Sequence, residues 1–188
     1  TQTITVDDTQ APTITGTLNP ITQAGCDASD APSAVTTVSA LESMGVSISD
    51  NCTSDALLSV TSSDGAPSGS CPWTITRTYT VEDDCGNQST LTQTITVDDT
   101  QAPIFAAAPA DVTVECVGDV PSMTNLAWSD NCDGAGNVAG TDGALVGGTC
   151  GGTITRTWTY TDACGNVSTA TQTITVDDTQ APTITGTL

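Results

Sequence analysis

The sequence predicts an all-β fold of tandem sandwich modules held by disulfides. Three observations carry that prediction: the chain repeats itself, its longest patterned segments alternate with period two, and its eight cysteines recur at matched spacings. Residues 1–18 read TQTITVDDTQAPTITGTL, residues 171–188 repeat them letter for letter, and residues 92–103 repeat the first twelve. The steps are 91 residues (1 to 92) and 79 residues (92 to 171). Such repetition marks an array whose modules contact mainly their neighbours. The window reads as one repeating unit plus an overlap, cut from a long tandem protein or a fibre.

Alternation is strongest late in each module. Trp73, Ile75, Arg77, Tyr79 and Val81 fall on one face with threonine between them, and Ile154, Arg156, Trp158 and Tyr160 do the same. Beyond a Cys-Gly-Asn turn, Leu91, Gln93, Ile95 and Val97 alternate, as do Ala170, Gln172, Ile174 and Val176. Two alternating β-branched runs around such a turn read as a hairpin. Threonine suits the wet face of a strand. Shorter strand candidates precede each hairpin: Thr13–Leu18, Val46–Ser49 and Leu57–Thr61, then Asp111–Glu115, Leu126–Trp128 and Gly143–Val146. The stretch Val38 to Met44 reads as a short helical turn. Six or seven short strands per module fit an immunoglobulin-like sandwich. The boundaries expected are 1–9 for the last strand of a preceding module, 10–99 and 100–178 for two modules, and 179–188 for the first strand of a following one. Residues 1–6 and 183–188 would be unpaired edges in isolation, covered by neighbours in a parent array.

Composition narrows function. Aromatics make up 3% of the 188 residues, so the cores are thin and small modules of this kind need staples. An even cysteine count at repeated spacings supplies them and points to an oxidising compartment. Zinc is the weaker reading, with no Cys-x-x-Cys pair and no histidine. The net charge of −20 opposes binding to nucleic acid or anionic lipid. No apolar run approaches the roughly 20 residues of a membrane-spanning helix, so direct membrane insertion is not expected. Without histidine or lysine, imidazole acid–base chemistry and lysine nucleophiles are absent. The acidic pairs recur at module junctions, where an array places struts, so no enzyme is expected.

The cysteines keep register: Cys26, Cys52, Cys71 and Cys85 answer Cys116, Cys132, Cys150 and Cys164. The last gap is 14 residues in both modules, while the first is 26 against 16. Asp50-Asn51-Cys52 answers Asp130-Asn131-Cys132, and Cys85-Gly86-Asn87 answers Cys164-Gly165-Asn166. The series Val114-Glu115-Cys116, Ser129-Asp130-Asn131-Cys132, Thr153 through Trp158, Thr161 through Asn166 and Thr171 through Asp178 resembles the hyalin-repeat (HYR-like) immunoglobulin-like module. It is similar to the tandem modules of giant surface adhesins of gliding bacteria with type IX secretion. The resemblance covers nearly all of the second module. The first departs from it, with Gly25-Cys26 in place of Glu-Cys and an insertion after it. It implies extracellular or cell-surface adhesion, or filament formation, without enzymatic activity.

In a sandwich of this kind Cys52 and Cys85 belong at the top, where the chain enters, and Cys26 and Cys71 at the bottom. The pairings expected are Cys26–Cys71 and Cys52–Cys85, then Cys116–Cys150 and Cys132–Cys164. By the loop-entropy model each bridge contributes about 2–4 kcal/mol.

Carboxylates gather at the same tops. Asp98 and Asp99 lead into the second module, whose top carries Asp130, Asn131, Asp162 and Asn166. An upstream junction would use Asp7, Asp8, Asp50, Asn51, Asp83 or Asp84, and Asn87, while Asp177 and Asp178 would await a further module. Five or six hard oxygen donors suit calcium, which takes 6–8 oxygens in irregular geometry, and a bound ion would stiffen each hinge. The same residues are also ordinary turn formers that bond their own backbone, and the acidity also keeps a fibre soluble. Both readings stand at this level.

Arg77 and Arg156, the two cations, are expected to be structural, lying over an aromatic ring or pairing with a carboxylate, Glu115 being a partner for Arg156. Trp73, Trp128 and Trp158 are expected in the core. Asn51, Asn87 and Asn166 stand in Asn-x-Ser/Thr patterns. Two roles follow: a structural filament or stalk whose partners are neighbouring identical modules, or an array that itself binds surface glycans or proteins.

Overall fold

The computed structural model describes residues 1–148 and 150–186 and divides into two compact units, Thr1–Asp99 and Thr100–Leu188. Unit 1 carries β1 (Thr13–Thr15), β2 (Ile21–Ala24), α1 (Val38–Ser43), β3 (Ser47–Ser49), β4 (Ser59–Asp64), β5 (Trp73–Glu82) and β6 (Gln88–Asp98). Unit 2 carries β7 (Ile104–Phe105), β8 (Val112–Val114), β9 (Leu126–Asp130), β10 (Gly134–Val138), β11 (Thr141–Asp142), β12 (Val146–Gly148), β13 (Gly151–Thr161) and β14 (Val167–Val176).

The expected hairpins form the backbone of each unit. β5 and β6 pair antiparallel from Trp73 opposite Val97 to Glu82 opposite Gln88. β13 and β14 pair from Gly152 opposite Val176 to Thr161 opposite Val167. Their inward residues are buried as the alternation requires: Ile75, Arg77, Tyr79 and Val81, then Ile154, Arg156 and Trp158.

Each hairpin is widened on both sides. In unit 1 the order is β2-β6-β5-β4, and β2 runs parallel to β6. In unit 2 it is β11-β13-β14-β8, with β12 also on β13 and β8 parallel to β14. A second layer completes each unit: β1-β3 in unit 1 and β10-β9-β7 in unit 2. In unit 1 the two layers share one core, where Leu18 and Ile48 meet Val60, Tyr79 and Val81. This is the tandem immunoglobulin-like sandwich.

The insertion of the first module folds as α1. Thr37 caps it, its Oγ1 accepting from the Ala40 N–H at 3.3 Å, which satisfies one orphan donor of the first turn. Val38 and Leu41 lie three apart on one face and are both buried in the core of unit 1. Gly45 closes the turn at φ +106°, a conformation that favours glycine, and β3 begins two residues later.

The terminal copies differ from the internal ones. Residues 1–6 form no strand, and Ile4 and Val6 stand 77% and 92% exposed. In the identical letters at 92–97, Ile95 and Val97 are fully buried. No strand occurs among residues 177–186, and Ile184 is exposed; residues 187 and 188 of the expected 183–188 edge lie outside the described residues.

Candidate functional site

The top of unit 1 is built by two tight turns and the segment that precedes β1. In the turn after β3, Asp50 Oδ1 accepts from the N–H groups of Cys52 (2.9 Å) and Thr53 (2.8 Å). In the β5–β6 turn, Asp83 Oδ1 accepts from Cys85 (2.9 Å) and Asn87 (2.8 Å), and its Oδ2 accepts from Asn87 Nδ2 (2.8 Å). Gly86, at φ +89°, gives that turn its reversal. Asp8 Oδ1 accepts from Gln10 N–H at 3.1 Å, and the Asp8 carbonyl accepts from Asn87 Nδ2 at 3.0 Å. Asn51 Nδ2 lies 3.4 Å from Asp8 Oδ1.

One carboxylate oxygen from each of Asp8, Asp50 and Asp83 comes within 4.8 Å of the others. The turn reading and the ligand reading are therefore not exclusive. Asp8 and Asp50 spend Oδ1 on nearby backbone, and their Oδ2 atoms are buried with no hydrogen-bond partner. Buried carboxylate oxygens without partners are costly, and like charges this close add repulsion. A hard cation would relieve both costs. For Asp83, burial works to raise the carboxyl pKa, but the Asn87 side chain and the N–H groups of Asn87, Cys85 and Gly86 outweigh it and hold the group below its ordinary value.

The other expected donors fall differently. Asp84 Oδ1 accepts from Thr53 Oγ1 at 2.6 Å and so ties the two turns together. Asp7 is exposed and lies outside the cluster. The carbonyl of Asp98 accepts from Gly25 N–H at 3.1 Å, and Asp99 is buried.

Unit 2 repeats both turns. Asp130 Oδ1 accepts from Cys132 (2.8 Å) and Asp133 (2.9 Å), and its Oδ2 is again buried without a hydrogen bond. Asp162 caps Cys164 and Asn166 and accepts from Asn166 Nδ2 at 2.9 Å. Asp133 Oδ2, accepting from Ala163 N–H at 2.9 Å, links the turns as Asp84 does in unit 1. Asn131 Nδ2 lies 2.8 Å from Cys132 Sγ. Asp177 N–H bonds the Val114 carbonyl at 2.9 Å, and Asp178 Oδ1 accepts from Gln180 N–H at 3.0 Å.

Both arginines are structural, with partners the sequence reading missed. Arg77 forks onto Asp64, Nε to Oδ1 at 2.6 Å and Nη2 to Oδ2 at 2.8 Å, and Nη1 donates to the Pro32 carbonyl at 2.7 Å. Arg156 does the same with Asp142, at 2.6 and 2.9 Å, and donates to the Pro121 carbonyl at 2.8 Å. Each arginine thus clamps a loop onto the sheet. Glu115, the expected partner of Arg156, instead accepts from Thr179 N–H and Oγ1, both at 2.9 Å. The missed signal was the Asp-Gly dipeptide before each hairpin, Asp64-Gly65 and Asp142-Gly143. Trp158 and Trp128 are buried and Trp73 packs on the core of unit 1.

The cysteines depart from expectation in part. Two disulfides form, and Cys26, Cys71, Cys132 and Cys164 are the bonded residues. Cys52, Cys85, Cys116 and Cys150 are exposed free thiols. The expected Cys52–Cys85 and Cys116–Cys150 bridges are therefore not made. Sharing one end of a sandwich does not suffice, because a bridge also needs Cα atoms about 4.4–6.8 Å apart and converging Cβ vectors. Cys52 Sγ instead lies 2.9 Å from Asn51 Nδ2. Burial of the sulfur, then the charge of Asp8, pushes its thiol pKa up.

No curated protein matches the chain. The model of the HYR-like domain with 4 cysteines matches twice, over residues 27–97 and 104–176, which follow the two units. With paired sandwiches, matched turns and four cysteines per module, the chain belongs to the family of HYR-like domains with 4 cysteines.

Proposed function

We propose that this chain is a structural repeat segment of an extracellular filament, stalk or surface adhesin, rigidified by calcium at its acidic module tops. Immunoglobulin-like modules in tandem, bonded cysteines and a junction segment repeated letter for letter suit a strut. The observation that carries the calcium reading is a pair of buried, unpartnered oxygens, Asp8 Oδ2 and Asp50 Oδ2, on two carboxylates that each bring an oxygen within 4.8 Å of the Asp83 carboxylate. Asp8 precedes β1, whereas Asp50 and Asp83 belong to the body of the module. A cation held by all three would pin the incoming segment to the sandwich. Calcium suits the all-oxygen donor set.

Isothermal calorimetry on the metal-free chain tests this. Saturable calcium uptake is expected, weakened at least tenfold by Asp50→Asn. No uptake by the folded chain would remove the calcium reading and leave the strut.

One observation favours a second role. Unit 1 carries an open groove of about 580 Å³ beside α1, lined by Thr36, Thr37, Ser39, Glu42, Asp55 and Leu58. Its hydroxyls and carboxylates could bond sugar hydroxyls, the contact an array that binds surface glycans would use. Glycan-array binding lost with Glu42→Ala would support that role, and a blank array would not.

A further inference from the structure

The state of each cysteine follows the end of the unit it occupies, not its position in the module. Cys26 and Cys71 share the bottom of unit 1. Cys26 follows β2, which ends with Ala24 opposite Asp98, and Cys71 precedes Trp73, which is opposite Val97. Cys116 and Cys150 occupy the same places in unit 2, beside Val114 and Gly152, both of which pair with Val176. Cys52 and Cys85 share the top of unit 1, joined through Thr53 and Asp84. Cys132 and Cys164 share the top of unit 2, joined through Asp133 and Ala163.

Equivalent positions are used oppositely. The bottom cysteines are disulfide-bonded residues in unit 1 and free in unit 2, while the top cysteines are free in unit 1 and disulfide-bonded residues in unit 2. Taken unit by unit, the bonded residues of unit 1 lie at the end where β6 finishes, and those of unit 2 at the turns after β9 and between β13 and β14. The free thiols lie at the two remaining ends. Residues 171–188, which begin within the last strand of unit 2, repeat residues 1–18, which open unit 1, letter for letter.

We propose that Cys116 and Cys150 of one copy form two disulfides with Cys52 and Cys85 of a following copy of this chain, joining copies head to tail. All four are exposed residues, and each end presents two. A bottom-to-top contact is heterologous, so each joined pair keeps one free top and one free bottom and extends into a filament where the rotation does not close a ring. The chemistry is thiol–disulfide exchange with a low-molecular-weight disulfide such as oxidised glutathione. A thiolate of one copy attacks that disulfide, forming a mixed disulfide and releasing one small thiol. The thiolate of the other copy then attacks the mixed disulfide, closing the protein bridge and releasing the second small thiol. Each bridge thus transfers two electrons to one small disulfide. The inference rests on the sulfur positions and not on the calcium reading, which the following test leaves untouched.

The test is non-reducing electrophoresis of the purified chain after incubation with oxidised glutathione. The expected result is a shift from the 18.9 kDa monomer to a ladder at integer multiples, collapsed by dithiothreitol. C52S/C85S and C116S/C150S variants should each remain monomeric, and mixing the two should give dimers and nothing longer. Circular dichroism confirms that each variant is folded. A monomeric product whose peptide map links Cys52 to Cys85 and Cys116 to Cys150 would overturn the proposal. So would dimers formed by either variant alone, which would require top-to-top or bottom-to-bottom bridges.

Discussion

Facing each other on the central hairpin of unit 1 are Tyr79 and Leu91; at the equivalent places in unit 2 are Trp158 and Ala170. A larger ring stands opposite a smaller neighbour, so the pair keeps roughly the same bulk. One layer higher both members are larger in unit 2. Ile48 and Val81 belong to the aliphatic core of unit 1, while their counterparts Trp128 and Tyr160 stack with ring centroids 3.7 Å apart and planes 18° from parallel. Unit 1 has α1 to supply Val38 and Leu41. Unit 2, whose gap between the first two cysteines is ten residues shorter (16 against 26), has no α-helix among its described residues, only the 3-10 turn Val117–Asp119, and fills its frame with rings. Glycines make room for them: a Cβ on Gly136 would stand 2.8 Å from Trp128, and one on Gly140 would stand 2.9 Å from Trp158. The comparison teaches that the hairpin, its turns and its arginine clamp define the module, while the filling between layers is exchangeable provided volume is conserved.

The largest effect should come from removing a filler outright. Trp158→Ala should cost about 3–5 kcal/mol, and hydrogen exchange followed by mass spectrometry should show the loss of protection in residues 100–186 and not in unit 1. The sharper version imports the pair of unit 1. Trp158→Tyr alone should cost about 1–3 kcal/mol, and adding Ala170→Leu should recover at least half of it, measured as a double-mutant cycle. Strict additivity would break the volume argument.

Next come the clamps. Arg77→Met or Arg156→Met should cost about 1.5–3 kcal/mol, the range for hydrogen bonds to charged groups, and loosen the Pro32 or Pro121 loop. Their pH dependence has a definite sign. The guanidinium fork holds Asp64 and Asp142 below the ordinary carboxylate range. The stabilisation is therefore complete above the unfolded value of about 4 and is lost as pH falls through the depressed folded value. Acid titration of stability by denaturant melts should be shallower below pH about 4 in Arg77→Met than in the parent chain. The smallest effect belongs to the helix that unit 2 lacks: Thr37→Ala should cost about 1 kcal/mol, the usual worth of an N-cap, with exchange rising only around α1.

The hairpins were legible because long β-branched alternation leaves one reading, and Val38 to Met44 were legible as a turn of helix. Of the two parallel strands, β8 falls within the expected Asp111–Glu115, whereas β2 was not legible. β2 is four residues behind Asn19-Pro20, and β10 reads Gly-Ala-Gly-Asn-Val, which by composition is a turn. The carboxylate turns could be read from Asp-Asn-Cys and Cys-Gly-Asn. The partition within each carboxylate, one oxygen to the backbone and one left buried, could not, because it depends on what segment closes over the turn. Arginine partners 13 and 14 residues away and the choice of bonded cysteines are likewise matters of distance in space.

The six letters TQTITV occur three times, and their period of two by itself determines which side chains would face a core. At 92–97 and 171–176 they are strand, with Ile and Val buried, while at 1–6 they form none and the same two side chains are exposed. Only the tertiary structure decided between these outcomes. A strand becomes one when neighbours satisfy its backbone and a second layer covers its apolar face: β5 and β2 flank the second copy, β13 and β8 flank the third, and among the described residues no strand flanks the first.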